Sequence, residues 1–227
     1  MSDLSVRDAA ELLKVSEKTI YRWIRQGVIP TYRFQGQYRF NQDELKDWAS
    51  YKRIGASSEG IHQAGPDEVN LYRAVLRGGI HYKLEGSTSR EVIAQAVQLF
   101  PLRTGSPSSL KEALLQTLLE REELVSTGIG SGIAIPHPRH PRDWGLGEPA
   151  VGIFFLDNQI DFQAVDGQPV HVLFMLLCDN VKGHLKLLSQ VSHLVNNKEM
   201  QSMLRSAPKR SDLLEKIADA FPEQTGS

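Results

Sequence analysis

Residues 165–191 read VDGQPVHVLFMLLCDNVKGHLKLLSQV, and two periodicities meet inside them. The turn-forming run Asp166-Gly167-Gln168-Pro169 precedes an almost unbroken apolar segment, Val170 to Leu177. A segment of that length with no polar alternate face predicts a strand covered on both sides. Beyond it the spacing changes to Leu185, Leu188, Val191 and Val195, a helical stripe filled out by Leu187 and Leu194. A doubly buried strand feeding an amphipathic helix is the repeating unit of a layered α/β domain.

The alternation continues on both sides. GIHYKLEG (79–86) predicts a strand, and Ser87 is the expected cap of a helix through SREVIAQAVQLF. Ser108 to Arg121 predicts a second helix with Leu110, Leu114, Leu115, Leu118 and Leu119 on one stripe. Val151 to Leu156 predicts another buried strand, and a last helix starts at Ser211 with Leu213, Leu214, Ile217 and Phe221. Together they predict an α/β domain over residues 69–222, a mixed sheet flanked by helices, with a tail at 223–227.

The chain has 227 residues, 41% hydrophobic and 23% charged, which suits two modest domains. Its single cysteine, Cys178, lies in VLFMLLC and is expected to be a core thiol; one thiol excludes an intrachain disulfide and a thiolate zinc cluster. The first residues lack the basic start and apolar core of a secretory signal, and the longest apolar run is interrupted by His171. The expectation is a cytoplasmic protein with no direct membrane insertion.

A formal net charge of -1 conceals a basic amino-terminal part. Residues 1–53 hold ten Lys and Arg against seven Asp and Glu, and between Lys14 and Arg39 six basic residues meet one acid, Glu17. That imbalance suits a polyanionic partner. Ser5 with Asp8 forms a capping-box pattern before Val6, Ala9, Ala10, Leu12 and Leu13, which predicts a short helix. After a break at Lys14-Val15, Ser16 caps a second helix with Ile20, Trp23 and Ile24 inward and Lys18, Thr19, Tyr21, Arg22 and Arg25 outward, ending at Gly27. TYRFQGQYRF then predicts a hairpin about Gln35-Gly36-Gln37, with Tyr32, Phe34, Tyr38 and Phe40 packing inward and Arg33 and Arg39 projecting. Asn41 with Glu44 caps a third helix carrying Leu45 and Trp48. Two helices, a basic hairpin and a third helix make a small winged helix-turn-helix domain over residues 1–54. The polar stretch GASSEGIHQAGPDE makes residues 55–68 a linker.

From Leu4 to Trp48 the chain resembles the excisionase-type winged helix domains related to the MerR head. The resemblance implies that Ser16 to Arg25 is a recognition helix and Arg33 to Arg39 a wing. Phosphate contacts then fall to Lys18, Arg22, Arg25, Arg33 and Arg39, and base readout to Thr19, Tyr21 or Arg22. One such head makes few phosphate contacts, so useful affinity for DNA calls for a homodimer. A head that docks a regulatory protein instead is the competing reading.

Chemistry concentrates in STGIGSGIAIPHPRH, Ser126 to His140. The glycine string lacks the Gly-Lys-Ser/Thr ending and the helix-opening pattern of nucleotide loops. His137-x-x-His140 lacks a nearby carboxylate or cysteine and is broken by Pro138, so no metal is expected. The G-x-S-x-G elbow of a hydrolase is missing. What remains is histidine as the nucleophile: neutral imidazole attacks phosphorus near pH 7, and Gly128, Gly130 and Gly132 let backbone N–H groups approach phosphoryl oxygens.

LEREELVSTGIGSGIAIPH, Leu119 to His137, resembles the signature of the fructose/nitrogen-regulatory enzyme IIA of the bacterial phosphotransferase system, and Val165 to Val191 its second block. The likeness runs from about Leu71 to Phe221. It implies that His137 accepts a phosphoryl group at Nε2 from HPr or a related phosphocarrier, with Arg121 at the active site and His184 orienting or neutralising the group. No cofactor is expected beyond the phosphoryl group itself. Two functions follow: a phosphohistidine regulator whose state controls DNA binding, or a carrier for sugar uptake that passes phosphate to a permease component.

Overall fold

The computed structural model of the chain describes residues 3–25, 29–34, 36–42, 45, 49, 69–102, 108–141, 144, 146 and 148–222. The expected linker at 55–68, the helix end at Gly27, Gln35, Glu44, Trp48, the tail and the side chain of Phe34 lie outside that description.

In the head, Ser5 caps α1 (Val6–Leu13) with the full reciprocal box: its Oγ accepts from Asp8 N, and its own N–H donates to Asp8 Oδ2 at 2.9 Å. Lys14 ends the helix in the left-handed region at φ 53°, which turns the chain sharply into α2 (Glu17–Arg25). Val6, Ala9, Ala10, Ile20, Ile24, Ile29, Phe40 and Leu45 close the small core. A three-stranded sheet completes the head, β1 (Asp3–Leu4) and β2 (Tyr32–Phe34) flanking β3 (Gln37–Asn41).

The hairpin corrects one expectation. Gln37 belongs to β3, where its backbone pairs with Phe34, and Gly36 stands at φ +78°. The register then pairs Tyr32 with Arg39 and Arg33 with Tyr38. Residues opposite each other share a face, so Tyr32 stands on the face opposite Tyr38 and Phe40. Arg33 does project, but it lies over the Tyr38 ring at 4.7 Å and donates to the Tyr38 hydroxyl at 2.8 Å.

The body, residues 69–222, is a five-stranded mixed sheet in the order β4 (Ile80–Leu84), β7 (Ala150–Ile160), β8 (Val170–Leu177), β6 (Ile133–Ala134), β5 (Gly128–Gly130). Strands β4 and β7, and β6 and β8, pair parallel, whereas β7 with β8 and β5 with β6 pair antiparallel. The apolar run of β8 supplies both faces: Val172, Phe174 and Leu176 belong to one core cluster, Leu173, Met175 and Leu177 to the other. Helices α3 (Leu71–Gly78), α6 (Val181–Val195), α7 (Lys198–Arg205) and α8 (Arg210–Ala220) contribute buried residues to the first cluster. Helices α4 (Ser89–Leu99) and α5 (Ser108–Leu124) serve the second, where Trp144 is fully buried. The layered α/β fold expected from residues 165–191 is therefore present. Thr88, not Ser87, caps α4, its Oγ1 accepting from Glu91 N, while Ser87 N donates to Glu91 Oε2.

Two glycines show how tightly the layers are pressed. Gly132, at φ +77°, closes the β5–β6 turn, and a Cβ there would stand 2.1 Å from Nδ1 of His171. At the end of α3, a Cβ on Gly78 would stand 2.3 Å from the Val151 carbonyl carbon and 2.5 Å from Gly152 N. Backbone cannot yield there without parting α3 from β7. Gly78→Ala is expected to cost about 2–3 kcal/mol in urea unfolding, against less than about 0.5 kcal/mol for Leu76→Ala on the exposed side of the same helix.

Candidate active site

Strands β6 and β8 run parallel, so their carboxyl ends open at one edge of the sheet, the place where open α/β sheets hold ligands. The chain leaving β6 stays attached to the sheet: Leu176 N donates to Pro136 O at 3.0 Å, and Ile135 N to Thr127 O at 3.0 Å. Proline on either side of His137 narrows φ at both flanking positions. The ring turns back onto its own chain, Nδ1 lying 2.7 Å from Ile135 O. A carbonyl oxygen only accepts, so Nδ1 carries the proton and Nε2 the lone pair.

His184 reaches the same edge from α6, which follows β8. Asn180 caps that helix, accepting from Gly183 N at 2.8 Å, and His184 stands in the first turn. Gly183 is required because a Cβ would lie 2.7 Å from Cys178 Sγ. The two imidazole rings meet at 5.3 Å between centroids, tilted by 55°. Arg121, in the last turn of α5, donates to Val125 O at 2.7 Å. These three polar groups, drawn from a loop and two helix ends, are all buried: 3% exposed for His137, 5% for His184 and 7% for Arg121.

Burial dominates the electrostatics. It lowers His137 to about 3, aided by the Arg121 charge and opposed by the hydrogen bond to Ile135. His184 is also held well below its ordinary value, by burial first, then by His137 and Arg121. Both rings are neutral at pH 7, and Arg121 is the fixed cation beside them. His184 Nδ1 has no hydrogen-bond partner among the described residues, a costly state for a buried polar atom.

The other expected residues separate. Gly128 borders the cavity on which His137 opens. Gly130 and Gly132 face Asp166 and His171 across the β5–β6 turn, where Ser131 N donates to Asp166 Oδ2 at 2.7 Å. They are not among the residues that border this cavity. Sequence reading missed Thr127, which borders it, and Glu122, which holds Thr127 by accepting from its N–H at 3.0 Å and from its hydroxyl. The adjacency of Glu122 to Arg121 was the available signal. His171 stays half-buried on β8, His140 and His193 are exposed, and Cys178 is a buried thiol whose pKa burial raises.

In the head, Lys18, Tyr21, Arg22 and Arg25 are exposed on α2, and Thr19 is half-buried with its N–H on Ser16 Oγ. Tyr21 meets Tyr38 edge-on at 6.3 Å, so helix and wing present one surface. Arg33 is exposed there, while Arg39 is half-buried and donates to Gln37 Oε1 at 2.9 Å. No described helix is long and apolar enough to cross a membrane.

The neutral rings have a measurable consequence. Unfolded histidine takes up a proton below about pH 6.5, whereas native His137 and His184 do not until far lower, so stability falls as pH drops from about 6.5 toward 5. Each ring contributes up to about 1.4 kcal/mol per pH unit to that slope. Glu122, raised by burial, acts in the opposite sense, so the histidine share is isolated by difference. In urea titrations His184→Gln is expected to flatten the slope between pH 6.5 and 5 by about one ring's worth.

Residues 77–220 match the family described as "Phosphoenolpyruvate-dependent sugar phosphotransferase system, EIIA 2", and residues 4–51 the family "Helix-turn-helix domain". A nitrogen regulatory protein of Pseudomonas aeruginosa is 32% identical over 153 residues, 66% of this chain and 96% of that one. A PTS system fructose-specific EIIABC component of Bacillus subtilis is 29% identical over 140 residues, 61% of this chain and 21% of that one. The crystal structure of nitrogen regulatory protein IIA-Ntr from Neisseria meningitidis superposes with a TM-score of 0.53 at 28% identity, covering 61% of this chain and 92% of its own. With the sheet, the histidine pair and these likenesses in agreement, the chain belongs to the EIIA 2 family of the phosphoenolpyruvate-dependent phosphotransferase system and carries an amino-terminal helix-turn-helix domain.

Proposed function

We propose that the chain is a cytoplasmic phosphohistidine regulator: His137 takes a phosphoryl group from an HPr-like donor, and the state of His137 controls DNA binding by the head. The observation that carries this reading is the neutral His137 ring, its Nδ1 proton tied to Ile135 O, with the neutral His184 ring and the cationic Arg121 close to it.

The Nε2 lone pair attacks phosphorus, the P–N bond to the donor's imidazole breaks, and that electron pair returns to the donor nitrogen. Phosphoryl transfer proceeds through a loose transition state, so positioning and charge do most of the work. Nδ1 keeps its proton on the Ile135 carbonyl, so the substituted ring carries positive charge next to the phosphoryl dianion. The Arg121 guanidinium supplies a second positive group, and a protonated His184 Nδ1 supplies a donor that presently lacks an acceptor among the described residues. The exposed basic face of α2 and the wing supports a nucleic-acid partner, and a homodimer would double its phosphate contacts.

A carrier role in sugar uptake is the second reading, favoured by the likeness to the fructose-specific component of Bacillus subtilis. Loss of the phosphoryl group to membranes only when a sugar is supplied would select it.

Incubation with phosphoenolpyruvate, enzyme I and HPr is expected to add one acid-labile phosphoryl group by intact mass, and none to His137→Gln. Gel shifts at fixed salt are expected to differ between the two phosphorylation states, and identical binding rejects the coupling. Arg22→Ala is expected to weaken binding across sequences and to lower the salt slope by about 1.

A further inference from the structure

We propose that the head and the phosphoryl donor compete for one face of the body: the docked head shuts His137 away, and a phosphoryl group on His137 holds the head off. This rests on the phosphoacceptor reading of His137 and gives it a direction.

Four observations place the head on that face. Strand β2, an outer strand of the head's sheet, runs close beside β5, the outer strand of the body's sheet. Asn196 Nδ2, at the end of α6, donates to Thr31 O at 3.3 Å. The buried apolar residues of the head form one contiguous cluster with those of the α6 side of the body. Most directly, Thr31, Tyr32 and Asn41 of the head border the same cavity as Gly128, His137 and Leu188 of the body. The hairpin register explains the aim: Tyr32 and Asn41 share the face opposite Phe40, so one face closes the head core and the other covers the site.

That cavity measures about 30 Å³. A water needs roughly 10–15 Å³ by this measure, so the space suits about two waters. A phosphoryl group brings phosphorus and three oxygens, and in-line transfer also puts the donor's imidazole on the far side of phosphorus. Neither fits while Tyr32 and Asn41 form the wall. Transfer between two proteins therefore requires the head to lift, and the product, with nearly two negative charges in that space, opposes its return.

Lifting the head also changes what it offers. Arg25 and Arg33 border a second cleft between head and body, about 340 Å³, with His193 and Asn196 on its other side. Both arginines leave that wall when the head departs, so the phosphorylated chain is the form whose whole basic face is open to DNA.

The test uses the full chain, with phosphoenolpyruvate, enzyme I and HPr as the donor system. Thr31→Arg alters the contact from the head, and Asn196→Arg alters it from the body, so misfolding of one domain cannot account for a shared effect. With the open form near one part in ten, both variants are expected to take up the phosphoryl group about tenfold faster than wild type by intact mass. In wild type, hydrogen exchange at residues 30–34 and 125–130 is expected to speed up on phosphorylation. Equal rates in all three proteins, with exchange unchanged by phosphorylation, would overturn the competition and leave the phosphoacceptor reading standing. Absence of phosphorylation in every variant would overturn both.

Discussion

The short hydrogen bond from His137 Nδ1 to the carbonyl of Ile135 is the contact on which the site depends. It does two things at once: it selects the tautomer that leaves the lone pair on Nε2, and it fixes the ring's direction relative to the sheet. The carbonyl is a firm anchor because the chain on either side of it is bonded in, Ile135 N to Thr127 O and Pro136 O to Leu176 N. Strand β8, to which it is tied, is buried on both faces, so moving His137 would mean disturbing the centre of both cores. A proline on each side removes the remaining freedom at low cost in hydrogen bonds.

Geometry does the rest. Because β6 and β8 are parallel neighbours, the residues that follow each strand emerge at the same edge, and His137 and His184, far apart in sequence, become ring neighbours. Arg121 arrives from the opposite helical layer at the end of α5. Three polar groups thus converge where β6 and α5 end and α6 begins, held by the Ile135 carbonyl, the Asn180-capped first turn of α6, and the Val125 carbonyl.

The long elements were legible because their signals are strong and local. Val170 to Leu177 has the length and apolar continuity of a buried strand and the Leu185 stripe the period of a helix, and the Ser5–Asp8 box announced α1 directly. The eight-residue helices α3 and α7 went unread, since each carries only two turns of periodicity. The β5–β6 turn hid behind its glycines, whose positive φ values serve the hairpin and its packing against Asp166 and His171. In the wing, alternation of aromatics suggested one inward face; the pairing of Tyr32 with Arg39 and Arg33 with Tyr38 sets a register in which Tyr32 and Tyr38 point oppositely. The family likeness named His137, Arg121 and His184, but nothing in their spacing tells that all three are buried, or that Tyr32 and Asn41 help to bury them. That is a property of domain contact, which no local pattern encodes.

Burial brings a conflict of requirements. A dry pocket keeps His137 neutral, and under the proposed function it would strengthen the pull of Arg121 on an incoming dianion, because charges interact more strongly where water is excluded. Yet under the proposed function His137 must be reached by another protein, and a ring 3% exposed is not. An enclosed small-molecule enzyme resolves this with a lid that closes after substrate enters; under the proposed function the partner is itself a protein, and the cover is a domain with its own basic surface. Opening then cannot be a minor loop motion. It has to release strand β2 from β5 and the Thr31 carbonyl from Asn196, and with them the arginines beside the second cleft. Access to the imidazole and exposure of the head are for that reason one equilibrium, and any ligand that binds one side of it shifts the other by the same free energy.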